Sequence, residues 1–478
     1  MGSDAPAAPA EGRVRRMSLV SECLARGAVK GTCFPASAKC REWPLTTFFF
    51  LDKAPTDKEL EETMKTLMTI ERFRSKVMTV GKDNYAWSVL DVSEVNVKEH
   101  VTRKEIGSEA ELRVEMDRLV DSPLVGNGAR PLWDLTVLTL KKGAKWTPSP
   151  GGPQRQPPVV CVRISHAIGD GLALVGVLNQ VCTGVDGSPV KVVDFQRRPV
   201  PSPFSLSSFT PFSTIIQLFT LVRYILRCIF DVLKAISVPV GPHDTTTAFC
   251  DKSKKVAYSG RRSIVTSPSY PLADFKEIKT RMGCTVNDVV VTCLAGAIQK
   301  YNVHHGDPTA KKSPRVRAAL PAIYDTNRAD GRLRNAWTFV SIPLPMGPMD
   351  VRDRLKEVKK RCDRMKSSPE IWATTMLNKF ANALLGFPFQ AQTVFDYMSR
   401  HSMVFTNVPG PTEPVVIFGH QVREMIFGVG NLVSQVSIVS YAGGMGLSLV
   451  VDPEEVKGAH LVGDFFGDEL AELKKKCA

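Results

Sequence analysis

His166 and Asp170 stand four residues apart in the run Ser165-His166-Ala167-Ile168-Gly169-Asp170-Gly171, an H-x-x-x-D-G spacing. An imidazole titrates near neutrality, so it can take a proton from a hydroxyl and return one to a leaving group. Asp170 can accept a backbone or arginine hydrogen bond and hold the loop, with Gly171 supplying permissive backbone. The run alone is weakly specific. A histidine satisfied by local hydrogen bonds fits it as well.

The flanking residues say how such a histidine would be held. Val159 to Ser165 is rich in β-branched residues and reads as a buried strand. Ala167 to Gly171 reads as a tight turn. Leu174, Val177, Leu178 and Val181 recur at helical spacing. His166 thus sits where a strand ends, a place where a scaffold can aim one side chain into a cleft. Asn287 lies in Thr285-Val286-Asn287-Asp288, which opens another helix. It reads either as an N-cap or as a side-chain donor. Pro131-Leu132-Trp133 leads into a strand, with Trp133 a core residue. Asn407, Pro409 and Gly410 punctuate a strand end. His304-His305 reads as a solvated pair, not a pair of metal ligands.

The chain has 478 residues, enough for two or three domains. Its formal net charge of +14 favours anionic partners: nucleic acid, acidic lipid headgroups or a phosphate-rich cofactor. No zinc-finger spacing, RNA-binding signature or basic-aromatic repeat occurs, so nucleic acid is excluded as the expected partner. The 11 cysteines contain no C-x-x-C pair, which argues for reduced thiols in a cytosol-facing protein and against a disulfide framework or metal site. Residues 1–28 have no apolar signal core and read as a flexible tail.

The charge and hydropathy pattern divides the rest. Residues 29–196 hold the H-x-x-x-D-G run in one set of strands and helices, and residues 256–478 form a second set. Between them, 197–255 is a linker containing an apolar segment, 212–238. At about 100° per residue, Arg223, Arg227, Asp231 and Lys234 fall within roughly 80° of one another on a wheel of this segment. Leu218, Val222, Ile225, Ile229, Leu233 and Ile236 fall opposite. Its longest charge-free stretch, Phe212 to Val222, is well short of the ~20 apolar residues a membrane span needs. The segment reads as an interfacial helix, with a core-packed helix between domains as the other reading.

Four segments in order, Arg130 to Trp133, Ser165 to Gly171, Thr285 to Val290 and Thr406 to Pro411, resemble the wax ester synthase/diacylglycerol acyltransferase family. A fifth, Val439 to Gly444, resembles its C-terminal region. The resemblance implies an α/β (α+β) fold of two domains, like chloramphenicol acetyltransferase: mixed sheets, flanking helices and an active-site tunnel at the interface. It implies transfer of a fatty acyl group from acyl-CoA, a co-substrate, to a fatty alcohol or diacylglycerol, with no bound cofactor and no metal. His166 matches the family's base. The implied site adds Asp170 and Asn287, with Pro131, Leu132, Trp133, Gly171, Asp288, Asn407, Pro409 and Gly410 as motif residues. The family pattern begins with two histidines, and here the first is Ser165.

The expected setting is a cytosol-facing membrane or lipid-droplet surface: endoplasmic reticulum or droplet in a eukaryote, the inner face of the plasma membrane in a bacterium. Two alternatives remain at this level. One is an H-x-x-x-D-G acyltransferase with a soluble alcohol acceptor. The other is a non-catalytic lipid- or CoA-binding relative.

Overall fold

The computed structural model describes residues 13–35, 43–80, 84–126, 128–146, 155–190, 211–253, 256, 258–324 and 333–477. Side chains are described within these except at 172, 211–218, 220 and 235. The first half runs β1 (Val14–Arg16), α1 (Leu19–Lys30), β2 (Leu45–Leu51), α2 (Asp57–Met68), β3 (Ser75–Val80) and β4 (Asn84–Val89). It continues through β5 (Val101–Ile106), α3 (Glu109–Asp121), β6 (Trp133–Leu140), β7 (Val159–Ile164), α4 (Gly171–Val181) and β8 (Thr183–Gly184). Then come α5 (Pro211–Ser237), β9 (Ser263–Pro271), α6 (Leu272–Met282), α7 (Val286–His304), β10 (Arg317–Ile323) and β11 (Trp337–Pro343). The last elements are α8 (Val351–Lys366), α9 (Glu370–Ser399), β12 (Met403–Pro409), β13 (Val415–Ile417), β14 (His420–Val429), β15 (Ser434–Tyr441), β16 (Gly444–Val451) and α10 (His460–Cys477).

Two mixed sheets carry the fold. One has the order β5-β6-β7-β2-β14-β13-β8, the other β11-β10-β12-β15-β16-β9. Each contains at least one parallel pair among antiparallel ones: β5 with β6, and β12 with both β10 and β15. A small sheet, β1-β4-β3, lies beside them. The helices form where local chemistry directs them. Thr56 and Glu59 make a capping box at the start of α2, whose Leu60, Met64, Leu67 and Met68 are buried. Ser108 caps α3, which buries Leu112, Met116 and Leu119 on one face. α7 is buried along nearly its whole length, including Val289, Val290, Leu294 and Ile298, so it is the central helix of the second half.

Two expectations about domain limits need correction. Residues 13–28 do not belong to a flexible tail. Val14–Arg16 pairs with β4, and Ser18 caps α1, which buries Ser21, Ala25 and Arg26. Residues 1–12 lie outside the described ones. Nor do the two halves separate cleanly in sequence. β14 pairs antiparallel with β2, from Val429 opposite Leu45 to Val422 opposite Leu51, and β13 pairs with β8. The second half therefore returns two strands to the first half's sheet, so the domains are joined by a shared sheet as well as by a linker. Residues 197–210 of that linker lie outside the described residues.

Candidate active site

β7 and β6 set the position of the histidine. Arg163 on β7 forms a buried fork onto Asp134 of β6 (2.8 and 2.7 Å) and also reaches the Leu119 and Ser122 carbonyls at the end of α3. β7 ends at Ile164, one residue earlier than expected. The Ser165 N–H then donates to the Leu132 carbonyl at 2.9 Å. The Pro131-Leu132-Trp133 motif thereby fixes the residue just before His166. Trp133 is core: its indole N–H donates to the Phe73 carbonyl at 2.7 Å, and His100 stacks on its ring at 4.0 Å.

Ser165 and His166 do not alternate across a strand, because both stand in the turn beyond it. The Ser165 hydroxyl folds back to accept from the Ala167 N–H at 3.2 Å and is fully buried. It stabilises the turn. His166 is half-buried, with its Nδ1 sheltered and lacking a hydrogen-bond partner. Burial disfavours the imidazolium and pulls its pKa below the ordinary value, against smaller opposing effects from its own backbone, Asp170 and Asn335. Nε2 is not enclosed in the same way. The Trp337 ring lies 5.3 Å from the imidazole, tilted by 46°.

Asp170 is the N-cap of α4. Its Oδ1 accepts from Ala173 N–H at 3.0 Å, while Oδ2 accepts from Ala336 N–H at 3.1 Å. Its own N–H donates to the Arg334 carbonyl at 3.1 Å. One aspartate thus ends the turn, starts the helix and ties both to the second half of the chain. Gly171 is not in a left-handed conformation; it is the first residue of α4. The glycine that close approach requires here is Gly169, where an added Cβ would come within 3.1 Å of Ala173 Cβ.

Facing this turn is the end of β12. A Cβ placed on Gly171 would meet Val408 Cγ2 at 4.0 Å. The neighbouring Asn407 donates its side-chain amide to Asn287 Oδ1 at 3.4 Å. Asn287 is not the helix cap. Thr285 caps α7 in a reciprocal box with Asp288, which leaves Asn287 inside the first turn, free to present its side chain. Asp288 is fully buried by that box, with Lys366 3.7 Å from its Oδ1. Gly410, after Pro409 ends β12, approaches β15 too closely for any side chain: a Cβ there would lie 2.5 Å from the Ser440 carbonyl oxygen. Among the described residues no cluster of histidine, cysteine or carboxylate side chains could hold a metal, and His304 and His305 are exposed at the end of α7.

The sequence did not reveal the segment 333–337, which reaches the histidine turn from the other half, nor Ser21 of α1 beneath it. No motif marks either. Their partners lie far away in the chain.

The sequence model of the wax ester synthase/diacylglycerol acyltransferase catalytic domain matches residues 51–290, and that of the family's C-terminal domain matches 333–474. The chain belongs to this family. Wax ester synthase/diacylglycerol acyltransferase 5 of Arabidopsis thaliana is 25% identical over 463 residues, covering 88% of each chain. The fold is similar to that of the Marinobacter aquaeolei wax ester synthase/diacylglycerol acyltransferase, with a TM-score of 0.56 at 16% identity over 91% of this chain and 94% of that one. It is similar also to the first condensation domain of the calcium-dependent antibiotic synthetase, at TM-score 0.59 and 12% identity over 97% and 96%. The protein is an acyl-CoA-dependent O-acyltransferase with the two-domain mixed-sheet fold.

Proposed function

We propose that this acyltransferase moves a long-chain fatty acyl group from acyl-CoA to the hydroxyl of a fatty alcohol or diacylglycerol, with His166 as general base, at a lipid surface. The observation that carries the reading is the His166 turn, held by both halves of the chain with one ring nitrogen open. The acceptor O–H gives its proton to Nε2 as its oxygen bonds to the thioester carbonyl carbon. The tetrahedral oxyanion then collapses, the C–S bond breaks, and the imidazolium returns the proton to the departing CoA thiolate. Products are the ester and free CoA. Asn287 meets Asn407 through its Oδ1, so its amide hydrogens are donors available from the second half. A general base of this kind contributes about 10²–10⁴-fold.

The lipid setting is supported by α5. On an amphipathic helix packed into a protein, charges face water. Here Arg227 donates to the Arg364 carbonyl and the Ser367 hydroxyl (3.1 and 2.7 Å), and Asp231 is buried against Arg364. Two of the four charges, Arg227 and Asp231, meet the protein, while Arg223 and Lys234 are exposed; Val222, Ile225, Ile229, Leu233 and Ile236 are exposed as well. α5 packs on α9, which exposes Trp372, Phe380 and Leu384 at 66%, 66% and 64%. Paired helices with outward apolar faces suit immersion in a monolayer surface. Among the described residues no single helix is long and apolar enough to cross a membrane.

The test is an acceptor panel: purified protein, palmitoyl-CoA, and 1-hexadecanol, dioleoylglycerol or a short soluble alcohol, read by thiol release and by product. Ester formed from the two lipid acceptors is the expected result. Turnover confined to the soluble alcohol, or none at all, would overturn the reading.

A further inference from the structure

The segment 333–337 does more than cross the domain boundary. Asn335 is almost fully buried. Its side-chain amide nitrogen lies 2.7 Å from the His166 carbonyl oxygen, 3.2 Å from that of Ala167 and 3.1 Å from the Ser21 hydroxyl. Its Oδ1 accepts from the Trp337 indole N–H at 3.3 Å, and the Trp337 ring is the one that leans on the His166 imidazole. Its neighbours Arg334 and Ala336 hold Asp170 from either side.

We propose that Asn335 is a positioning residue for acyl transfer, fixing the His166 main chain through its amide and the ring face of the imidazole through Trp337. The His166 peptide stands in a turn outside any strand ladder, so its carbonyl has no regular partner. The shortest bond Asn335 makes is to that carbonyl. The other end of the same amide orients the only aromatic ring recorded against the imidazole among the described residues. Two degrees of freedom of the base, where its backbone sits and which way its ring lies, are therefore set by one side chain. A displacement of about 1 Å at a reacting group can cost roughly 10²-fold in rate. The linkage also joins the two halves of the chain at the histidine turn, since Asn335 belongs to the half opposite His166. Ser21 brings in α1, so the third element of the clamp comes from the N-terminal helix.

The proposal rests on His166 acting as base, and the experiment separates the two. Asn335→Ala removes both ends of the clamp. Asn335→Asp keeps the shape and the acceptor for Trp337, and when ionised it cannot donate to the two carbonyls. When protonated it can donate one hydrogen. Initial rates with palmitoyl-CoA and 1-hexadecanol are measured from pH 5 to 9, alongside the wild-type protein and with thermal melts of each variant. The expected result is a fall in kcat of about 10- to 100-fold for Asn335→Ala with KM for both substrates within about twofold. Asn335→Asp should show a similar fall at pH 8 and recover relative to wild type as the pH is lowered, because protonation restores a donor. An Asn335→Asp variant that melts normally and turns over within twofold of wild type at every pH would overturn the proposal. So would a loss of rate in both variants that tracks a rise in KM and has no pH dependence. Wild-type protein inactive with both 1-hexadecanol and dioleoylglycerol would instead overturn the underlying assignment of acyl transfer. If Asn335→Ala does not fold, the pH profile of Asn335→Asp decides alone.

Discussion

Asp231 near the C-terminal end of α5 meets Arg364 near the end of α8 at 3.2 Å, with its side chain only 6% exposed. This contact holds the Arg227–Asp231 part of α5 against the protein and leaves Ile225, Ile229 and Leu233 outward. Replacing Ile225, Ile229 and Leu233 by serine should therefore abolish flotation with vesicles of phosphatidylcholine and phosphatidylserine. The melting temperature should stay close to that of wild type, since these side chains are exposed. Undiminished flotation would remove α5 from the docking surface, and a collapsed melt would mean that its apolar face is packed.

Gly410 gives a second prediction. A Cβ there meets backbone, the Ser440 carbonyl, which cannot swing away as a side chain can. Gly410→Ala should cost about 1–3 kcal/mol in urea unfolding. It should also lower turnover, because the strand it displaces carries Asn407 and Val408 beside the histidine turn. A variant as stable and as active as wild type would contradict this.

The pH dependence of stability has a separate origin in His401. It is fully buried, its Nδ1 against the Tyr397 carbonyl at 2.7 Å and its Nε2 against the Ser341 hydroxyl at 2.8 Å. Burial first, and the nearby Arg317, push its pKa down to about 3. Between pH 6.5 and that value the unfolded chain binds the proton and the folded chain does not, so stability falls as acid is added. At about 1.4 kcal/mol per pH unit, one such group accounts for roughly 2 kcal/mol between pH 6.5 and 5. His401→Gln should lower stability at pH 7 yet lose less than wild type between pH 7 and 5. Equal losses in the two proteins would rule the histidine out as the source.

The histidine turn was legible because its signals are local: a β-branched run, glycines and an aspartate, then helical spacing. Asn287 was half legible. Two polar residues at a helix start compete for the cap, and only the reciprocal box of Thr285 with Asp288 decides between them. α9 is not legible in the sequence. It is apolar around much of its circumference and broken by Gly386, at φ 70°, and by Pro388, so it lacks a clean helical stripe. The sheet membership of β14 and the clamp of Asn335 were illegible for another reason. Leu51 pairs with Val422, and Asn335 bonds a carbonyl 169 residues away, and no local pattern encodes such distances.

Asn287 now allows a sharper test than a cap would. With Thr285 as the cap, Asn287→Asp should not be tolerated, since a carboxylate keeps the acceptor for Asn407 but loses the donor hydrogens. A fall in kcat of about tenfold or more with an unchanged melting temperature is expected. Full activity in Asn287→Asp would remove the amide from the chemistry.

The central claim is that His166 takes the acceptor's proton, and single-substitution kinetics test it most directly. His166→Ala, assayed by thiol release from palmitoyl-CoA with 1-hexadecanol, should lose at least about 10²-fold in kcat while melting as wild type does. In the wild-type protein the acid limb of kcat/KM should fall below pH 6.5, because burial lowers the pKa of this imidazole and keeps it unprotonated further into acid. A folded His166→Ala variant that keeps more than about a tenth of the wild-type rate, against the loss a general base predicts, would contradict the account.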